Sequence, residues 1–207
     1  MIKTVLRLIR RIAGFDAKGM VSLVLWARRR RHGVPPGAVQ ISYAKEQTGT
    51  SAILLIVMAV ETVAVDVLLR AIGAPEAIRL PVLLLDLYGL LIGLAVNAAC
   101  VTRPHVVTAT ELRLRYGAFF DVRVPRSRIA AVRLSRNYNE SGMVAVSGDR
   151  LAVVVSSQTN VVVELTEPIT IIRPLGRPAE VGSIRFFADD PAAAFAALNS
   201  RTSSPAA

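Results

Sequence analysis

The chain has 207 residues, with 25 Lys and Arg against 15 Asp and Glu, a formal net charge of +10, and 53% hydrophobic residues. That length leaves room for one small domain of about 100 residues beside an apolar anchor, and a single cysteine, Cys100, excludes an internal disulfide. No GxxxxGK[ST], GxGxxG, GxSxG, HExxH or CxxC occurs, so phosphate cradles, nucleophile elbows and common zinc sites lack their signatures, and no enzyme activity, cofactor, metal or small-molecule substrate is expected.

Residues 1–49 read as a basic interfacial region. MIKTVLRLIRRIAGF places Ile2, Val5, Ile9 and Ile12 on one helical face, with Lys3, Arg7, Arg10 and Arg11 among the remaining positions. GMVSLVLWA, from Gly19 to Ala27, is too short to span a bilayer. Trp26 followed by Arg28, Arg29, Arg30 and Arg31 is the pattern of an indole at headgroup level with guanidinium groups meeting anionic lipid, at about 1 kcal/mol each. Nucleic acid is the rival partner for this run. A basic stretch ahead of a cytoplasm-facing span is explained by topology alone, and nucleic acid is not expected. Gly33 to Gly49, containing Pro35, Pro36 and Gly37, reads as a connector.

Residues 50–102 read as a transmembrane hairpin of two apolar helices, broken at Gly73, Ala74, Pro75 and Glu76. The second run, from Leu80 to Val101, sets about a dozen Leu, Ile and Val at roughly −0.3 to −0.6 kcal/mol each against Asp86 at about +2.5 to +3.5, so it inserts alone. The first run carries Glu61 and Asp66 and needs its neighbour. Asp66 and Asp86 are expected at similar depth, with Arg70 one turn from Asp66 able to pair with either. Asp86, Gly89, Gly93 and Asn97 fall on one face, and Gly89 and Gly93 form a GxxxG pair; Ala59, Thr62, Asp66 and Arg70 make the matching face. These faces pack on each other or on a second copy. An ion path through Glu61, Asp66 and Asp86, in a small transporter or ion-coupled subunit, is the alternative to a packing role for the acids.

Ten basic and two acidic residues lie in residues 1–50, whereas the turn carries only Glu76 and Arg79. By the positive-inside rule both termini are cytoplasmic and the turn is outside, in a multi-pass inner (plasma) membrane protein.

From Arg103 the pattern shortens to strands. Leu112 and Leu114 alternate with Arg113 and Arg115, Gly117 turns, Val122 and Val124 flank Arg123, and Ile129 to Leu134 follows Pro125. Asn137 to Gly148 reads as a loop; LAVVVSS, NVVVELT, ITIIRPL and VGSIRFF supply four more strands. Asp189 or Asp190 caps a last helix that starts at Pro191, with Ala194, Phe195 and Leu198 on one side. The fold class is a membrane α-helical hairpin plus an all-β antiparallel barrel or sandwich with a C-terminal helix over 103–200, and 201–207 read as a disordered tail. His105 after the second span fits a pH sensor or a polar anchor. Phe119 and Phe120 fit either a partner contact or core packing.

The order of Leu112, Leu114 and Arg115 before Gly117, Val124-Pro125 and Ile129, and Asp189-Asp190-Pro191 resembles the bacterial pleckstrin-homology-like (bPH) domains found beside transmembrane hairpins. Arg103-Pro104-His105 after the second span is similar to uncharacterised actinobacterial two-span membrane proteins. The resemblance implies a PH-like scaffold that binds a protein partner or assembles as a homo-oligomer at the membrane, with no catalytic set. Where lipid-binding members of the wider superfamily carry basic residues after the first strand, Tyr116 to Phe120 reads YGAFF, so phosphoinositide recognition is not implied.

Overall fold

The computed structural model describes residues 14, 17–174 and 176–200. The expectations for the amphipathic N-terminus with Arg7, Arg10 and Arg11, and for the 201–207 tail, lie outside the described residues. The elements run α1 (Ala17–Ala27), β1 (Val39–Ile41), α2 (Lys45–Ala71), α3 (Glu76–Thr102), β2 (His105–Val107), β3 (Glu111–Tyr116), β4 (Phe120–Pro125), a 3₁₀ turn, β5 (Ile129–Asn137), β6 (Val144–Ser147), β7 (Arg150–Val153), β8 (Thr159–Ile172), β9 (Pro178–Phe186) and α4 (Pro191–Asn199).

Helices α2 and α3 have 27 residues each, about 40 Å at about 1.5 Å per residue, so both are long and apolar enough to cross a membrane. Their outer surface is lined with exposed Ile53, Leu54, Val63, Leu84 and Leu85. Gly73 ends α2 at φ 71°. Its N–H donates to the Arg70 carbonyl at 3.0 Å and the Ala74 N–H reaches Leu69 at 2.9 Å, a Schellman closure that needs a residue without Cβ strain. Pro75 then opens α3 from an extended conformation.

The β domain has two sheets, one antiparallel in the order β1-β2-β3-β4 and one in the order β5-β8-β9-β7-β6. Four expectations are corrected here. The segment 33–49 is not only a connector: α2 already begins at Lys45, ahead of the expected start at residue 50, and Val39 pairs with Val107 and Ile41 with His105, so the hairpin is inserted between two hydrogen-bonded strands, and Ile41 and Tyr43 enter the core. NVVVELT and ITIIRPL form one 14-residue strand whose pairing with β9 shifts between Glu164 and Ile169, where Pro168 lacks an N–H to donate. The stretch read as a loop contains β6, joined to β7 through a tight turn at Gly148 (φ 60°) and Asp149. Finally, β7 runs parallel to β9, so the second sheet is mixed.

Leu112, Leu114, Val122 and Val124 from the first sheet pack with Leu151, Val153, Val161, Val163, Ile184 and Phe186 from the second. Ala194, Ala197 and Leu198 of α4 close this core, while Phe195, expected beside them, is partly exposed. The two aspartates divide the capping. Asp190 accepts the Ala193 N–H at 2.9 Å and caps α4. Asp189 accepts the Lys45 N–H at 3.1 Å and caps α2, tying the β domain to the start of the hairpin. Arg126 closes the other end of α4 by donating to the carbonyls of Leu198 (2.6 Å) and Ser200 (2.8 Å).

A fragment from Arg103 to Ala207 lacks β1 and Tyr43. It is expected to show no cooperative unfolding by circular dichroism, whereas the full chain in detergent unfolds cooperatively.

Candidate functional site

Among the described residues, the charged side chains of the hairpin form one ion-pair group. Asp66 meets Arg70 at 2.8 Å and Arg79 at 3.4 Å, and Arg79 is 3.9 Å from Glu76. The i,i+4 spacing foretold Arg70; Arg79 was legible only as a charge near the turn, because its reach across the hairpin depends on register. A Cβ on Gly93 would lie 3.0 Å from Leu55 Cδ2, and one on Gly89 3.7 Å from Met58 Cε. The glycine face therefore packs on α2 of the same chain. Its partner face is Leu55, Met58, Thr62 and Asp66 rather than the one with Ala59 and Arg70, both of which are exposed. These contacts place Asp86 across from Glu61 and Thr62, not at the depth of Asp66. Glu61 is exposed, and Asp86 and Asn97 are half-buried. Asp66 already faces two guanidinium groups.

The second polar region is the foot of the hairpin. Helix α1 leans on α3, with a Cβ on Gly19 only 3.2 Å from Ala95. The buried Ser22 hydroxyl donates to the Lys18 carbonyl at 2.7 Å and accepts from Arg103 Nε at 3.2 Å. The last turn of α3 would leave carbonyls unsatisfied. Arg31 donates to the Val101 carbonyl, and the His32 N–H to that of Thr102 at 2.9 Å. Arg115 lies across the same loop, its side chain buried, donating to the carbonyls of His32 (2.8 Å) and Gly33 (3.4 Å). Burial, then Arg113, pushes the Arg115 guanidinium down to about 10. Burial and the neighbouring Arg103 likewise hold His32 below its ordinary value. The carboxylate of this cluster is Asp121, held by two hydrogen bonds from Arg113, one of 2.8 Å from Nε. Alternation along β3 marks Arg113 and Arg115 as outward-facing. They are covered because the loop after α1 crosses that face.

Behind the cluster, His105 is fully buried. It stacks on Tyr43 (centroids 4.5 Å apart, planes at 22°) and meets the edge of Phe186. Its Nδ1 accepts the Arg115 N–H at 3.1 Å, which leaves Nε2 to donate to the Phe187 carbonyl at 3.2 Å. Burial pushes His105 down to about 3, so the ring is a neutral anchor between the sheets and not a sensor near neutral pH. Tyr43 completes the joint by accepting the Gly117 N–H at 2.7 Å.

Trp26 and Arg28 to Arg31 are exposed where α1 ends. Between Trp26-Ala27, Arg29 to Arg31 and Val101-Thr102 opens a cavity of about 390 Å³. The paired phenylalanines separate: Phe120 is in the core, which overturns its reading as a partner contact, and Phe119 sits at the junction with Ile92, Ala95 and Val96 of α3. Among the described residues, no three His, Cys, Asp or Glu side chains gather as a metal-binding group. No protein-family model, curated protein or solved structure matches the chain.

Two outcomes follow from this geometry. Gly93→Leu should lower unfolding stability in detergent by about 1–3 kcal/mol through overpacking against Leu55, while Gly89→Ala is near neutral. His105 binds its proton at about 3 when folded against an ordinary 6.5, so the unfolded chain holds more protons between those values. The contribution of His105 is complete above about 6.5 and drains away as pH falls toward 3; in urea titrations, His105→Gln should flatten that acid limb.

Proposed function

We propose that this chain is a two-span inner-membrane protein whose cytoplasmic β domain is a docking or self-assembly module. The observation that carries the reading is the way the domain is rooted. Strands β1 and β2 leave the hairpin as hydrogen-bonded neighbours and Asp189 caps α2, so the domain is held at a fixed place against the foot of two apolar helices. Charge supports the orientation, with the basic run at the domain end and a nearly balanced turn at the other. Two packed sheets and a closing C-terminal helix support a PH-like scaffold, from which the parallel β7–β9 pair departs.

The docking surface in this reading is the edge strand β5, which among the described residues pairs only with β8. Its second half leaves Leu134 and the following Tyr138 exposed, with Arg136 stacked 5.0 Å over the tyrosine ring. An open edge with apolar side chains is the form that accepts an added strand, and Arg136 beside it discriminates among partners by charge.

A photoreactive residue at Leu134 in the full chain, in native membranes, should give a protein adduct of one defined mass. An adduct of twice the chain's mass identifies self-assembly, and another mass a hetero-partner. The same probe at exposed Glu180 should give none. Adducts to lipid alone, or identical patterns at both positions, contradict the reading.

A further inference from the structure

We propose that the cavity between Trp26 and the end of α3 seats the phosphate of one anionic phospholipid headgroup. This rests on the membrane reading above and adds a discrete, stoichiometric site to it. The volume, about 390 Å³, falls within the roughly 300–1,000 Å³ of small-ligand clefts.

Charge is the first argument. Among the described residues, Arg28, Arg29, Arg30 and Arg31 have no carboxylate within 4.0 Å, whereas Arg70, Arg113 and Arg133 each meet one. Asp121, the acid of the neighbouring arginine cluster, is already held by Arg113. Several guanidinium groups around one concavity repel each other until an anion enters, and a phosphate oxygen is the acceptor their forked donors fit best.

Backbone geometry is the second. Arg29 has φ 53°, a left-handed conformation that Gly usually occupies at a helix end. Its N–H donates to the Trp26 carbonyl at 2.9 Å and the Arg30 N–H to Leu25 at 2.8 Å, so the closure fixes where residues 29–31 emerge. Arg29 therefore holds this conformation at a backbone cost that Gly would not meet. Arg31 is engaged on the Val101 carbonyl, which leaves Arg29 and Arg30 as the phosphate donors.

The floor supplies the third. Trp26 and Val101 line the same cavity as the arginines and supply apolar surface for a headgroup's glycerol, and an indole at that level matches the bilayer interface. A soluble phosphate compound shares the phosphate but has no use for that surface.

Trp26 is the single tryptophan of the chain, so its emission reads the cavity directly. The full chain in neutral detergent is titrated with dihexanoyl phosphatidylglycerol, dihexanoyl phosphatidylcholine and inorganic phosphate, with native mass spectrometry counting retained lipid. Phosphatidylglycerol should give a saturable emission change and one retained molecule, phosphatidylcholine neither, and inorganic phosphate should not displace it. Arg29→Gly combined with Arg30→Gln should weaken binding about thirtyfold with unchanged melting, because Gly suits the left-handed position. Equal response to both lipids, unaltered binding by the variant, no retained phosphatidylglycerol, or full displacement by inorganic phosphate each overturns the proposal. Carbonate extraction separates the two levels: a chain released from membranes refutes the membrane reading, whereas a retained chain that ignores phosphatidylglycerol refutes only the seat.

Discussion

The backbone pairing of β1 with β2 is the constraint on which the rest depends. Ile41 lies opposite His105 in that pair, and the whole hairpin runs out and back between them. Both helices thus start and finish at one hydrogen-bonded point, and neither can tilt or slide without breaking the edge of the first sheet. Tyr43 stacked on His105 reinforces the point, and the Asp189 cap on α2 adds a contact from the far end of the domain.

Burial of polar groups around that root follows. Each buried donor or acceptor left unpaired costs about 1–3 kcal/mol, and nearly all the polar atoms of Ser22, Arg103, His105 and Arg115 have partners; the Nε of Arg115 is an exception. The network crosses from α1 to α3 to β3, so the loop at residues 31–33 becomes a structural joint. Consequently the basic run at 28–31 is presented in a fixed geometry, which a solvated tail could not provide.

Large-scale features were legible in the sequence because they rest on local chemistry. The two apolar helices, the Gly73–Pro75 break, the Asp66–Arg70 pair and the capped last helix each follow from residues within a few positions of one another, although α2 begins at Lys45, inside the segment read as a connector. The misses share the opposite property. Val39-Gln40-Ile41 is too short for alternation to stand out beside Pro35-Pro36-Gly37, and only its partner across 60 or so intervening residues makes it a strand. Arg115 alternates as an exterior residue would, and it is buried because a loop from another part of the chain covers it. Asp86 was set at the wrong depth since equal spacing from the turn does not fix register; the Gly93–Leu55 contact does. The edge of β5 and the cavity beside Trp26 depend on such long-range placement and could not be read from local pattern.

Whether the hairpin crosses a bilayer with its β domain inside is tested most directly by sided cysteine labelling in intact cells. In a Cys100→Ala background, an impermeant thiol reagent should modify Glu76→Cys at the exposed turn without permeabilisation, and Val39→Cys in β1 only after it. Modification of both positions from the same side of the membrane would contradict the account.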